Sequence, residues 1–178
     1  MQSDDNTPTF SKKITSFFLN ALFFIAVFVA VSMFQSRNML STSSTPAPAL
    51  EGQLLRGGAY DLSTADGRPT LVYFFAPWCT FCAASSDNLT RLRRLRDEDS
   101  LQILTVALDW QDRDEVLEYV ERHEINLPVV LGDRLVAREW RVQAFPTYYV
   151  LDSDRRIHRR DLGYSTQFGL WWRTWFVD

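Results

Sequence analysis

The stretch "TLVYFFAPWCTFC", Thr70 to Cys82, constrains the fold more than any other part of the chain. "TLVYFF" is a short apolar and aromatic run of β-formers. It reads as a strand buried on both faces, and such a strand needs a sheet with helices covering each side. Pro77 breaks the run. The chain's two cysteines, Cys79 and Cys82, follow at once, at the point where a buried strand gives way to a helix.

The rest of the domain fits around that strand. After the cysteines, Leu89, Leu92 and Leu95 recur at helical spacing, with the intervening arginines on the other, solvated face. "LQILTVAL", Leu101 to Leu108, reads as a second buried strand. Residues 112–124 read as a helix with a charged outer face, "LPVVLG" as a third strand and 133–140 as a short helix. "TYYVLD" and "RRIHRR" read as a hairpin across Ser153-Asp154. Residues 165–176 read as a closing helix with Ser165 as its N-cap. Strand–helix–strand early and hairpin plus helix late give an α/β fold with a mixed sheet flanked by helices.

The spacing of the cysteines gives them a chemistry. A helix N-terminus offers unpaired N–H groups and the positive end of the macrodipole, so a Cys79 thiolate there is stabilised. Cys82 lies one turn on, within reach to close a disulfide. Cys79 can then attack a partner disulfide and Cys82 resolve the mixed one. Trp78 is placed to shield the flank, although packing alone would also explain it. A structural staple across so short a loop stabilises weakly. A zinc site needs four ligands, and His123 and His158 have no suitable spacing to the pair. Copper(I) held by the two thiolates stays open.

The first fifty residues differ in kind. Residues 1–13 read as a short cytoplasmic N-terminus ending in Lys12 and Lys13. Ile14 to Met33 carries no charge, and twenty residues of helix span about 30 Å, the thickness of the hydrocarbon core. We read 14–34 as an uncleaved transmembrane anchor in preference to a signal peptide. Two lysines before it against the lone Arg37 after it place the bulk of the chain outside the cytoplasm. Residues 35–50, with "STSSTPAPAL", read as a flexible linker, and 51–178 as the folded domain. A net charge of −3 gives no basic surface for nucleic acid.

"QAFPTYYV" places Pro146 at the start of a strand, where its missing N–H does no harm. Together with "FFAPWCTFC", this resembles the thioredoxin-like superfamily over roughly Leu54 to the end. The resemblance implies a cis Phe145–Pro146 bond beside a redox-active disulfide, with no further cofactor and no metal. It implies Cys79 as nucleophile, Cys82 as resolver, Pro146 as the substrate-side wall and Phe145 as a source of backbone contacts to an extended substrate. The anchor, the helix–strand segment 112–131 and the tail "LGYSTQFGLWWRTWF" are similar to the membrane-tethered proteins of the suppressor-of-copper-sensitivity group, type D. That similarity implies a periplasmic domain on the inner membrane that acts on exported thiol or disulfide proteins and is served by a membrane electron donor.

Two departures bear on mechanism. Tyr73 stands where cytosolic thioredoxins carry a buried Asp. Ser85 stands where reductases of cytochrome c maturation often carry a Glu. Between the cysteines, Thr80 and Phe81 supply no imidazole to favour the thiolate, so the expected direction is reduction or isomerisation rather than primary oxidation. A copper(I) delivery protein and a cytochrome c maturation reductase are the alternatives.

Overall fold

In the computed structural model, β3 (Thr70–Phe75) lies near the middle of a seven-stranded sheet and all six of its residues are buried. The structure describes residues 9–36, 39–42, 45–64 and 67–177. The chain divides into two units, 1–38 and 39–178.

The sheet runs β2–β1–β5–β4–β3–β6–β7. Its parallel centre is β3, β4 (Gln102–Ala107) and β5 (Val129–Leu131). The flanks are antiparallel: β6 (Thr147–Leu151) and β7 (Ile157–Leu162) on one side, β1 (Glu51–Leu54) and β2 (Ala59–Asp61) on the other. Alternation along β3 divides the core. Leu71, Tyr73 and Phe75 pack with buried residues of α2 (Thr80–Leu95), α3 (Arg113–Arg122) and α5 (Gln167–Trp175). Val72 and Phe74 pack on the opposite face with Trp140, which ends α4 (Arg134–Glu139), and with Leu50 and Met39. Both faces are therefore covered, as an apolar run like "TLVYFF" demands.

Local chemistry sets the helix starts. Asp112 caps α3 by accepting from the Glu115 N–H at 2.9 Å, while the Glu115 carboxylate accepts from the Gln111 N–H at 2.8 Å. Asp133 caps α4 in the same way, accepting from Leu135 and Val136.

Four expectations need correction. The N-cap of α5 is Thr166, which accepts from the Gly169 N–H at 3.1 Å. Ser165 is instead drawn inward, its carbonyl accepting from Asn88 and its hydroxyl from Arg173. Residues 39–42 and 45–50 do not form a solvated tether. Met39, Leu40 and Leu50 are buried, the Leu40 N–H reaches the Tyr149 hydroxyl, and Pro46 bridges Arg156. Three apolar side chains are enough to hold this segment on the sheet face. Leu95 is exposed, although it shares the spacing of Leu89 and Leu92. Of the arginines between these leucines, Arg91 and Arg94 are exposed, whereas Arg93 is half-buried and donates to the carbonyls of Arg96 and Leu101; Arg96, beyond Leu95, donates to those of Ser100 and Thr174.

The β1–β2 hairpin has no counterpart in the sequence reading. Its turn holds Gly57 and Gly58 at φ +99° and +92°, a region open to glycine. At Gly52 a Cβ would lie 2.7 Å from Val130, so only glycine lets β1 approach β5 this closely.

The N-terminal unit contains α1 (Thr9–Ser36), a single 28-residue helix. Its side chains are described over 15–27 and 29–31, and Phe17, Phe18, Leu19, Leu22 and Phe23 are exposed. Among the described residues no helix is long and apolar enough to cross a membrane. The span read from the sequence, 14–34, extends past the described side chains at both ends.

Candidate active site

The strand-to-helix turn after β3 builds the site. Cys79 is the N-cap of α2, with extended backbone (φ −84°, ψ 107°), and its Sγ accepts from the Cys82 N–H at 3.1 Å. The sulfur therefore takes the place that a serine or aspartate oxygen takes at other helix starts, where unpaired N–H groups and the helix dipole favour negative charge. Cys79 and Cys82 are joined as a disulfide, their Cα atoms 5.2 Å apart. Cys79 keeps 6% of its surface exposed and Cys82 none. An incoming group can thus meet the first sulfur and not the second.

Beneath the pair the packing is hydroxyl-rich. The Tyr73 hydroxyl donates to the Cys82 carbonyl at 3.1 Å, and Ser86 donates to the same oxygen at 2.9 Å. Ser86 also shares a hydrogen bond with the Tyr119 hydroxyl at 3.3 Å. Burial pushes the Tyr119 hydroxyl up to about 12, and burial holds Tyr73 well above its ordinary value. Both stay neutral at physiological pH. Tyr73 therefore serves here as a hydrogen-bond donor rather than a titrating base. Ser85 is likewise buried, donating to the Phe81 carbonyl at 2.9 Å.

The outer wall is aromatic. Trp78 is 60% exposed and meets Phe145 edge-to-face, ring centres 5.7 Å apart. The Phe145–Pro146 peptide bond is cis, and Pro146 is buried. Trp78, Cys79, Thr80, Phe81, Gln143, Ala144 and Phe145 line an open groove of about 610 Å³, and Asp109 completes it. Of the residues the sequence singles out, Trp78, Cys79, Thr80, Phe81 and Phe145 line this groove, while Cys82 and Pro146 are buried and do not.

Asp109 is the residue that sequence reasoning missed. Its carboxylate and its carbonyl both accept from the Trp78 indole N–H, at 3.1 and 3.2 Å. Its backbone lies at φ +53°, which aspartate tolerates better than most residues. The available signal was its position: it follows directly on β4, and sites in α/β sheets gather beyond the carboxyl ends of the strands. Among the described residues no cluster of three or more metal-ligating side chains occurs. His123 packs against Tyr119 with the rings tilted, and His158 lies on β7.

Comparison with known proteins agrees with this geometry. The chain is 26% identical over 128 residues to a thioredoxin-like protein of Haemophilus influenzae, covering 71% of this chain and 74% of that one. It is 28% identical over 112 residues to the thiol:disulfide interchange protein DsbE of Xylella fastidiosa, covering 60% and 54%. Among solved structures it is similar to a thiol:disulfide interchange protein of the thioredoxin family from Chlorobium tepidum, with TM-score 0.69, 19% identity, and 78% and 99% of the two chains covered. StoA from Bacillus subtilis follows with TM-score 0.63 and 21% identity, covering 74% and 98%. These two carry the thioredoxin-like fold. The model of the AhpC/TSA family matches residues 44–160, and the chain belongs to that family.

Proposed function

We propose that this protein is a membrane-tethered thiol–disulfide oxidoreductase that reduces disulfides in exported proteins. One observation carries the reading: a cysteine sulfur forms the N-cap of α2, opens onto an aromatic-walled groove, and is disulfide-bonded to a fully buried partner one turn later. In the dithiol form, the Cys79 thiolate attacks one sulfur of a substrate disulfide. A mixed disulfide forms and the first substrate thiolate leaves. The Cys82 thiolate then attacks Cys79 Sγ, the Cys79–Cys82 bond closes, and the second substrate thiolate leaves. Two electrons pass to the substrate, whose two thiolates take up the two protons lost from the cysteines. A membrane protein that donates electrons would restore the dithiol.

The direction rests on Thr80 and Phe81, both exposed and neither able to stabilise a thiolate as an imidazole would. Tethering rests on the charge-free run Ile14–Met33 and on the exposed apolar side chains of α1. The finer placement, in the type D branch of the suppressor-of-copper-sensitivity group with a role in copper tolerance, rests on the tryptophan-rich tail.

The test is capture by Cys82→Ala, which leaves the mixed disulfide unresolved. Exported proteins bound to Cys79 and released by reductant support the reading. Stoichiometric copper(I) binding with no thiol exchange would replace it with metal delivery.

A further inference from the structure

The closing helix α5 is apolar on more sides than the domain covers. Leu170 and Thr174 face inward and are buried. On the outer side Phe168, Trp172, Trp175 and Phe176 recur at spacings of three and four and are 69%, 49%, 50% and 54% exposed. The rings form a continuous ladder: Phe168–Trp172 at 6.4 Å, Trp172–Phe176 at 5.0 Å, and Trp171–Trp175 at 4.9 Å beside them. A surface helix ordinarily turns its polar residues, not its aromatic ones, outward. On the flank of α5 the Arg96 guanidinium lies 5.5 Å over the Trp175 ring.

We propose that this stripe rests in the headgroup region of the bilayer that holds α1, an inference that rests on the tethered reading above. Three features favour lipid as the occupant. Indole and phenyl rings are the side chains that suit the membrane–water boundary. Only Arg37 and Asn38 separate the last residue of α1 from Met39, a chain reach of at most about 11 Å, so a bilayer that holds α1 tethers the domain close to its surface. Met39 and α5 lie on opposite faces of the sheet but are both tied to its edge strand β7. Arg160 of β7 donates to the Met39 and Leu40 carbonyls at 2.9 and 2.6 Å, and the next residue, Asp161, pairs with Arg173 of α5 at 2.7 Å.

The arrangement leaves the groove free. Asn88 donates to the Ser165 carbonyl and Arg96 to that of Thr174, so α5 lies along the far half of α2. Arg96 is about 25 Å along the helix axis from Cys79. The stripe meets lipid while Cys79 faces incoming substrates.

Tryptophan fluorescence of the full chain tests this, because the chain's six tryptophans all lie outside α1. The protein is reconstituted into phosphatidylcholine–phosphatidylglycerol vesicles whose acyl chains are brominated near the glycerol end. Flotation with the vesicles, with about a third of the emission quenched, is the expected result, since two of the six rings would touch lipid. In Trp172→Phe/Trp175→Phe the quenched fraction disappears while flotation persists. Flotation without quenching overturns the docking and leaves the tether standing, whether the rings are open to iodide or covered by a second protein. Failure to float overturns both. Quenching that survives in the double variant assigns the contact to other rings and overturns the stripe.

Discussion

The two ends of α2 are built for opposite purposes. At the N-terminal end a sulfur atom stands where a capping oxygen would, so the helix start is completed by a group that exchange chemistry takes away and restores. At the C-terminal end Arg93 and Arg96 satisfy backbone carbonyls of the turn after the helix and of α5 with permanent donors. One helix therefore joins a changeable end to a fixed one. The fixed end holds α5 against the sheet, and the changeable end works above a floor of neutral hydroxyls.

The largest effect is expected at the changeable end. Cys79→Ser should reduce insulin-disulfide reduction to the uncatalysed rate while leaving thermal stability nearly intact. Substantial residual turnover would mean that Cys82 can attack on its own. Arg96→Ala should cost about 2 kcal/mol in urea unfolding, through the lost bonds to Ser100 and Thr174 and the lost cover on Trp175. Its equilibrium with glutathione should not move; a shift there would show that the two ends are coupled.

The hydroxyl floor gives an intermediate effect with a defined sign. The Tyr119 hydroxyl is raised from 10.0 to about 12 by burial. The unfolded chain therefore loses this proton first, and the stability it contributes is complete below pH 10 and is lost as pH rises from 10 to 12. Tyr119→Phe should flatten the alkaline limb of a urea-midpoint against pH curve in that window. An unchanged limb would assign the loss to the other tyrosines that burial raises, Tyr60, Tyr73, Tyr148 and Tyr149. The smallest effect is expected at the groove wall. Asp109→Asn keeps the carbonyl acceptor for Trp78, so kcat/KM should fall by roughly twofold, about 0.5 kcal/mol.

Legibility from sequence followed the same physical divide. β3, β4 and β6 were readable because runs such as "TLVYFF" have no polar face and must be buried on both sides. The pair of cysteines was readable because a proline and a helix start fix its place. The β1–β2 hairpin was not, since "EGQLLRGGAYD" is half-exposed, turns on the positive φ of Gly57 and Gly58, and packs through Gly52 against Val130 across the sheet. The hold on residues 39–50 was hidden for a related reason: Met39, Leu40 and Leu50 are scattered among Ser, Thr, Pro and Ala, and what fixes them are Tyr149 and Arg160 more than a hundred residues away. Arg93 read as solvated because helical periodicity says nothing about the carbonyls that a guanidinium can reach beyond its own helix.

The central claim is that Cys79 and Cys82 form a reducing exchange couple. Equilibration of the protein with glutathione redox buffers, read by alkylation of the two thiols, tests it most directly. The account predicts full interconversion of dithiol and disulfide with a potential more negative than about −200 mV. A potential near about −120 mV, the range of strong oxidants, or a pair that does not exchange with glutathione at all, would contradict it.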